Sequence, residues 1–328
     1  MFQVVFLKIA MMFLVIVAGW FARRRGLLSA ELSSAMSMGV VDAAFPALVF
    51  TQILRTVNPG SLAQDAFAPV YCGLLIGIAY VAGVATAPWF CSEKEKRTYV
   101  FLVTIPNWVF LPLPIAQALY GDSGVRTVLL CNVGAQMLLW SFGVWILHGS
   151  MKEAVKQLTS NVGLWATAAG ILLGLMFPAA RELEGMDPAR ASGLKLFFGA
   201  CVQAVAMVGS LTIPLSLLAI GAQLGGLTGR VPRLTRTLAG VVTARLLVGP
   251  LLTVAVIATL ARLGLGLPEE MRMVLYLIAA MPVAISCSVM AERFAGETAL
   301  AAAGIFYSTF FSLVTVPLVF LVVRRFGL

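Results

Sequence analysis

Ten apolar runs of about 20 residues follow one another along the chain, joined by short polar connectors. Their approximate limits are 3–22, 33–54, 67–90, 98–119, 126–147, 161–178, 196–224, 237–262, 271–291 and 299–323. A helix of about 20 apolar residues covers the hydrocarbon core of a bilayer, roughly 30 Å thick. Only 11% of the 328 residues are charged, whereas a soluble domain carries about 25%. The pattern predicts an all-α polytopic membrane protein of ten transmembrane helices embedded in the lipid bilayer.

Charge placement predicts the orientation. A signal peptide carries its positive charge before the apolar stretch, but Arg23-Arg24-Arg25 follows the first run, which therefore reads as a retained helix. With the N-terminus outside, twelve Lys and Arg residues fall in cytoplasmic connectors and nine on the other side, and the early clusters (the Arg triplet, then Lys94, Lys96 and Arg97) weigh most in insertion. Both termini are expected outside. The net charge of +9 is accounted for by these connectors. With no basic stripe interleaved with aromatics, nucleic acid is not an expected partner. The five cysteines are scattered without a CxxC and read as small apolar fillers; one histidine, His148, cannot make a zinc site. No cofactor is implied.

One run stands apart. Residues 105–121 read IPNWVFLPLPIAQALYG, with three prolines and an asparagine inside a hydrophobic span. Proline lacks a backbone donor and crowds the carbonyl four residues back, so a plain helix is not expected here. Backbone freed at membrane depth must be satisfied by protein or by a wet cavity. A second run, Ala279-Ala280-Met281-Pro282-Val283-Ala284-Ile285-Ser286-Cys287-Ser288, has its proline at a similar depth in the other half, and Phe45-Pro46 in the second run is echoed by Ile213-Pro214 in the seventh. Five spans per half is an odd number, so a second copy would insert upside down. The expected organisation is therefore two five-helix repeats, 1–150 and 151–328, with broken helices 4 and 9 crossing, as in secondary transporters.

These residues carry a resemblance. The run 105–121, the stretch Val41-Asp42-Ala43-Ala44-Phe45-Pro46-Ala47-Leu48-Val49-Phe50, and the C-terminal Ala279 to Met290 with Phe306-Tyr307-Ser308-Thr309 together resemble the auxin efflux carrier family, especially its bacterial permease and malonate-type transporter branch. The resemblance implies a fold related to the bile-acid/sodium symporters. Helices 1, 2, 6 and 7 would form a scaffold and helices 3–5 and 8–10 a mobile core. It further implies a small organic anion as substrate, a bacterial inner membrane location and a homodimer through the scaffold. The Leu111-Pro112-Leu113-Pro114 run departs from the family's usual small residues and is expected to alter the pocket.

Candidate site residues follow from the breaks. Pro106 and Pro282 open the two helices, and Asn107, able to donate and accept, would hold a substrate carboxylate or satisfy the backbone freed by Pro106. Ser286 and Ser288 would face the same cavity or bond back to their own helix. Asp42 and Arg245 are charges inside spans, which mark function by default. They would pair with each other; or Arg245 would attract the anion while Asp42 gates or takes up a proton; or Asp42 would bond structurally to a neighbouring helix and Arg245 would snorkel toward the interface. Asn132 and Gln136, four apart, share one face and would support the core as helix-packing amides. Trp20, Trp89 and Trp140 read as interface or packing residues.

The expected function is a secondary transporter of a small organic anion, a carboxylate, with coupling to H+ or Na+ open. No Walker-type GxxxxGK[ST] occurs, which excludes P-loop use of ATP. An enzyme would need a convergent Asp/His/Cys cluster that the spans do not offer. A non-transporting membrane receptor, or the permease subunit of a larger complex, is the alternative.

Overall fold

The computed structural model describes residues 2–57, 67–109, 111–183, 193–226 and 233–325. Among them the chain is helical throughout, with a single isolated β-bridge. In chain order the helices are α1 (Phe2–Arg24), α2 (Ala30–Thr56), α3 (Ala68–Phe90), α4 (Lys96–Thr104), α5 (Pro112–Leu138), α6 (Met151–Thr159), α7 (Val162–Met176), α8 (Gly193–Ser210), α9 (Thr212–Gly226), α10 (Arg236–Arg262), α11 (Glu269–Ala279), α12 (Ser286–Arg293) and α13 (Thr298–Arg325). Six stretches of the described residues are long and apolar enough to cross a membrane unaided: α2, α3, Ser123–His148, Gly193–Gly226, α10 and Thr298–Val323. The runs at 98–119 and 271–291 do not form single helices. Each is split into two short ones, α4 with the first arm of α5, and α11 with α12.

Proline chemistry explains the splits. Helix α4 stops at Thr104, two residues before Pro106, because the residue before a proline is pushed out of the α region. Pro112, however, opens α5, where its missing N–H costs nothing. It starts a helix and does not line the pocket. The first arm of α5 then ends at Gly121, whose φ of 62° and ψ of −147° reverse the chain without a loop. Only glycine takes that conformation cheaply. At that turn Ser123 and Thr127 both donate to Glu270 in the first turn of α11, at 2.7 and 3.0 Å, tying the two broken runs together at one end of the molecule.

Small residues set the packing. A Cβ on Gly221 would lie 1.9 Å from the Ile16 carbonyl oxygen, and one on Gly19 would lie 2.2 Å from that of Leu218, so α1 and α9 cross backbone to backbone. Gly170 of α7 and Gly209 of α8 meet α2 in the same way, at Phe50 and Leu48. Helices α1, α2, α7, α8 and α9 thus form one group of close crossings. Helix α3 packs on α4, α5 and α10, and α13 on α10 and α12, in a second group. Such close approach is how helices associate where lipid supplies no hydrophobic drive between them.

Among the described residues three helices widen locally into π turns: Val40–Ala44 in α2, Leu139–Gly143 after α5, and Ala244–Val248 in α10. The first and third are each followed, after one further residue, by a proline, Pro46 and Pro250. Each proline would clash with the carbonyl four residues back, Asp42 or Leu246, and widening the turn relieves that clash. Asp42, Trp140 and Arg245 ride on these three turns.

Candidate functional site

The two helix breaks meet. Pro106 and Val283 form an antiparallel β-bridge, in which the Asn107 N–H donates to the Pro282 carbonyl at 2.8 Å and the Ala284 N–H to the Ile105 carbonyl at 3.0 Å. The Val283 N–H is taken by the Ser308 hydroxyl of α13 at 3.1 Å. Backbone groups released by the two prolines thus satisfy one another, as burial requires. Asn107 adds a local cap: its Oδ1 accepts from the Leu111 N–H at 3.4 Å, just ahead of α5.

Arg245 sits beneath this crossing, 2% exposed. Its Nη1 donates to the Val103 carbonyl at 2.8 Å and its Nη2 to the Ala279 carbonyl. These are last-turn carbonyls of α4 and α11, groups a helix end leaves without an internal partner and where it carries roughly half a negative charge. One guanidinium therefore neutralises two C-terminal ends. The sequence alone offers Arg245 a role toward substrate, toward Asp42, or in snorkelling to the interface, and its burial removes the last. The structure gives it neither contact: it does not line the cavity described next, and the ion pairs among the described residues are Lys94–Glu297 and Lys96–Glu93.

Above the crossing is a cavity of about 830 Å³, its open mouth included. Pro106, Asn107, Asn132, Gln136, Ser286 and Ser288 all line it, so six of the expected residues converge. Pro282 stays behind them, its carbonyl in the bridge. Apolar walls come from Val40, Phe45, Leu139 and Ile220. Two of the lining residues carry a buried side-chain donor without a partner among the described residues: the Asn132 Nδ2 amide and the Trp108 indole N–H. The hydroxyl of Ser288 donates back to the Ile285 carbonyl at 3.1 Å, the local bond that serine makes routinely in helices. No aspartate or glutamate is among the lining residues, and the half-helix α12 begins at the cavity with its N-terminal, positive end.

Trp108 and Trp140 also line the cavity; of the two readings the sequence offers for Trp140, interface or packing, its burial favours the second. Trp140 is not an interface anchor: it is 5% exposed and its Nε1 donates to Gln136 Oε1 at 3.2 Å, while Gln136 Nε2 reaches Asn132 Oδ1 at 3.5 Å. The i, i+4, i+8 spacing of Asn132, Gln136 and Trp140 was the available signal. Asp42 is exposed on its π turn and lines a smaller polar recess beside the cavity, together with Arg293.

Two broken helices meeting beside a cavity, on a frame of helices long and apolar enough to cross a membrane, fit the class of membrane transport proteins. Comparison of sequences agrees with that class. The profile of the family described as Membrane transport protein matches residues 4–167 and 189–320, and the chain belongs to this family, that of the auxin efflux carriers. An uncharacterized transporter of Methanothermobacter thermautotrophicus is 27% identical over 310 residues, 92% of this chain and 93% of the relative. One of Methanocaldococcus jannaschii is 24% identical over 316 residues, 93% and 94% of the two chains. An uncharacterized transporter of Saccharomyces cerevisiae is 22% identical over 163 residues, 42% of this chain and 37% of its own.

Proposed function

We propose that the protein is a secondary transporter that carries a small organic anion by movement of a core against a scaffold. The observation that carries this reading is the pair of buried, unpartnered donors, Asn132 Nδ2 and Trp108 Nε1, on residues lining a cavity that has no carboxylate among its described lining residues. A buried donor without an acceptor costs about 1–3 kcal/mol. Ligand oxygens would recover that cost, and a carboxylate has two. Its charge would be met by the N-terminal end of α12, while Arg245 holds the opposing helix ends neutral. The apolar walls and the two indoles suit a carboxylate with an apolar body.

In this reading ten spans form two inverted five-helix repeats, and the group built on α1, α2, α7, α8 and α9 is the scaffold and the homodimer contact. The group holding α3, α4, α5 and α10–α13 is the mobile core. The membrane is a bacterial inner membrane, with both termini outside. Asp42, at the side of the cavity, is the group assigned to proton coupling or gating. An Asp42→Asn protein that retains wild-type uptake and wild-type pH dependence would remove it from that role.

The test is a thermal-shift screen of the detergent-purified protein with monocarboxylates, dicarboxylates, indole acids and amino acids, at two pH values and with or without Na+. A ligand that binds only the folded state raises its apparent stability, by about 2.7 kcal/mol at a hundredfold excess over Kd. Stabilisation by one carboxylate class, followed by uptake of that class into liposomes holding only this protein, is the expected result. A folded protein that no anion stabilises, or that co-purifies with a stoichiometric partner and moves nothing alone, would point instead to a receptor or permease subunit.

A further inference from the structure

Beside the central cavity lies a recess of about 320 Å³ that shares Val41, Trp140 and Asn161 with it. Asp42 and Arg293 bring opposite charges to this recess, and both are exposed. Neither has an ion-pair partner within 4 Å among the described residues. Arg293 ends α12, the half-helix whose other end opens at the central cavity, and its Cζ lies 5.7 Å from the centroid of the Trp140 ring. From that ring the hydrogen-bonded ladder Trp140–Gln136–Asn132 runs into the cavity, to the unpartnered Asn132 amide. A cation held over an aromatic face keeps its N–H fork available for an oxyanion.

We propose that this recess is a charge-selecting entrance, in which Arg293 is the first docking point for the carboxylate of the substrate and Asp42 is the competing charge that keeps Arg293 from retaining it. An anion approaching through an apolar mouth would lose its hydration with nothing in return. Arg293 supplies a bidentate partner at the threshold. A cation alone would trap the anion, and Asp42 in the same recess lowers the net attraction, so docking stays weak and transfer along the Trp140 face can follow. The nature of the docked ligand rests on the anion-transport reading; the charge selectivity of the recess does not.

Ser160 lines the same recess and is exposed, so a Ser160→Cys variant reports the local potential. Cys91 and Cys201, the cysteines that are not buried, are changed to serine in the same background. Labelling rates are compared for anionic, cationic and neutral methanethiosulfonate reagents, the neutral one reporting exposure separately from charge. The ratio of anionic to cationic rates is expected to fall about fivefold or more in Arg293→Gln, since loss of one nearby positive charge slows the anionic reagent and speeds the cationic one, and a roughly two- to threefold change in each already gives that ratio. It is expected to stay near the parent value in Arg293→Lys and to rise in Asp42→Asn. A ratio indifferent to Arg293→Gln, with the neutral rate unchanged, overturns the entrance. Millimolar phenylacetate is expected to slow labelling while Arg293 is present. If phenylacetate, acetate and malonate all leave the rate unchanged although the ratio depends on Arg293, it is the anion-transport reading that fails.

Discussion

Asn132 has one end of its amide occupied and the other idle: Oδ1 accepts from Gln136, while Nδ2 is fully buried at the cavity with no acceptor. For a packing residue that is a defect; for a ligand-binding residue it is a poised donor. The two roles predict opposite pairings of stability and affinity. Asn132→Leu, close in shape and apolar, removes the unpaired donor, so the melting temperature of the empty protein should stay level or rise. Affinity for the stabilising carboxylate should fall about tenfold, the value of one hydrogen bond of roughly 1.4 kcal/mol. Trp108→Phe removes the N–H together with part of a buried ring, and should weaken binding several-fold with only a modest fall in melting temperature. Isothermal titration beside a thermal melt separates the cases; a loss of stability in Asn132→Leu without loss of affinity would return Asn132 to a packing role. Asn107 should behave differently, because its Oδ1 caps Leu111, so Asn107→Ala should lower the melting temperature as well as the affinity.

Two short helices that end inside a membrane would each leave carbonyls unpaired, and the crossing holds because one side chain answers both. In Arg245→Met the protein recovers the desolvation of a buried guanidinium but orphans the bonds to Val103 and Ala279. Since the orphaned groups are buried and belong to like-charged helix ends, the loss should win, by roughly 2–4 kcal/mol. Arg245→Lys, a point charge without the fork, should recover only part of it. A thermal melt in detergent is the check, and a wild-type melting temperature in Arg245→Met would remove Arg245 as the link between α4 and α11. At this scale the sequence was readable where proline chemistry is local. The breaks at Pro106 and Pro282 could be placed, because a proline in an apolar run has few other outcomes. The partner of Arg245 could not, since a buried cation can be answered by a carboxylate or by helix ends, and only tertiary contact between residues 103, 245 and 279 selects the second. The π turns lay between these cases: Pro46 and Pro250 were visible, but a kink and a widened turn answer the same clash.

Over the whole molecule, apolar runs fix helices and their approximate limits, and six spans follow from length and composition alone. Which helices touch is written more faintly, in the glycines of α1, α7, α8 and α9, whose value emerges only when a second backbone lies against them. That dependence gives a sharp test of the α1–α9 crossing: in Gly221→Leu a side chain must enter space where even a Cβ would lie 1.9 Å from a carbonyl oxygen, and the folded yield should collapse, whereas Gly77→Leu, with open space at its Cβ, should be tolerated. Motion of one group against the other should appear elsewhere, at the wide cleft on the Arg23 side. Arg23, Ser33, Ser34 and Gln223 of α1, α2 and α9 line it together with Glu292, Thr298, Ala299 and Ala302 of α12 and α13. If transport requires this cleft to close and reopen, a Ser34→Cys, Ala299→Cys pair joined by a cleavable thiol cross-linker should lose uptake completely and regain it on cleavage, while either single variant treated alike keeps most of its rate. A cross-linked protein that still turns over would mean that these helices travel together, and the boundary between moving and fixed parts would have to be sought on the α2–α5 side of the cavity instead.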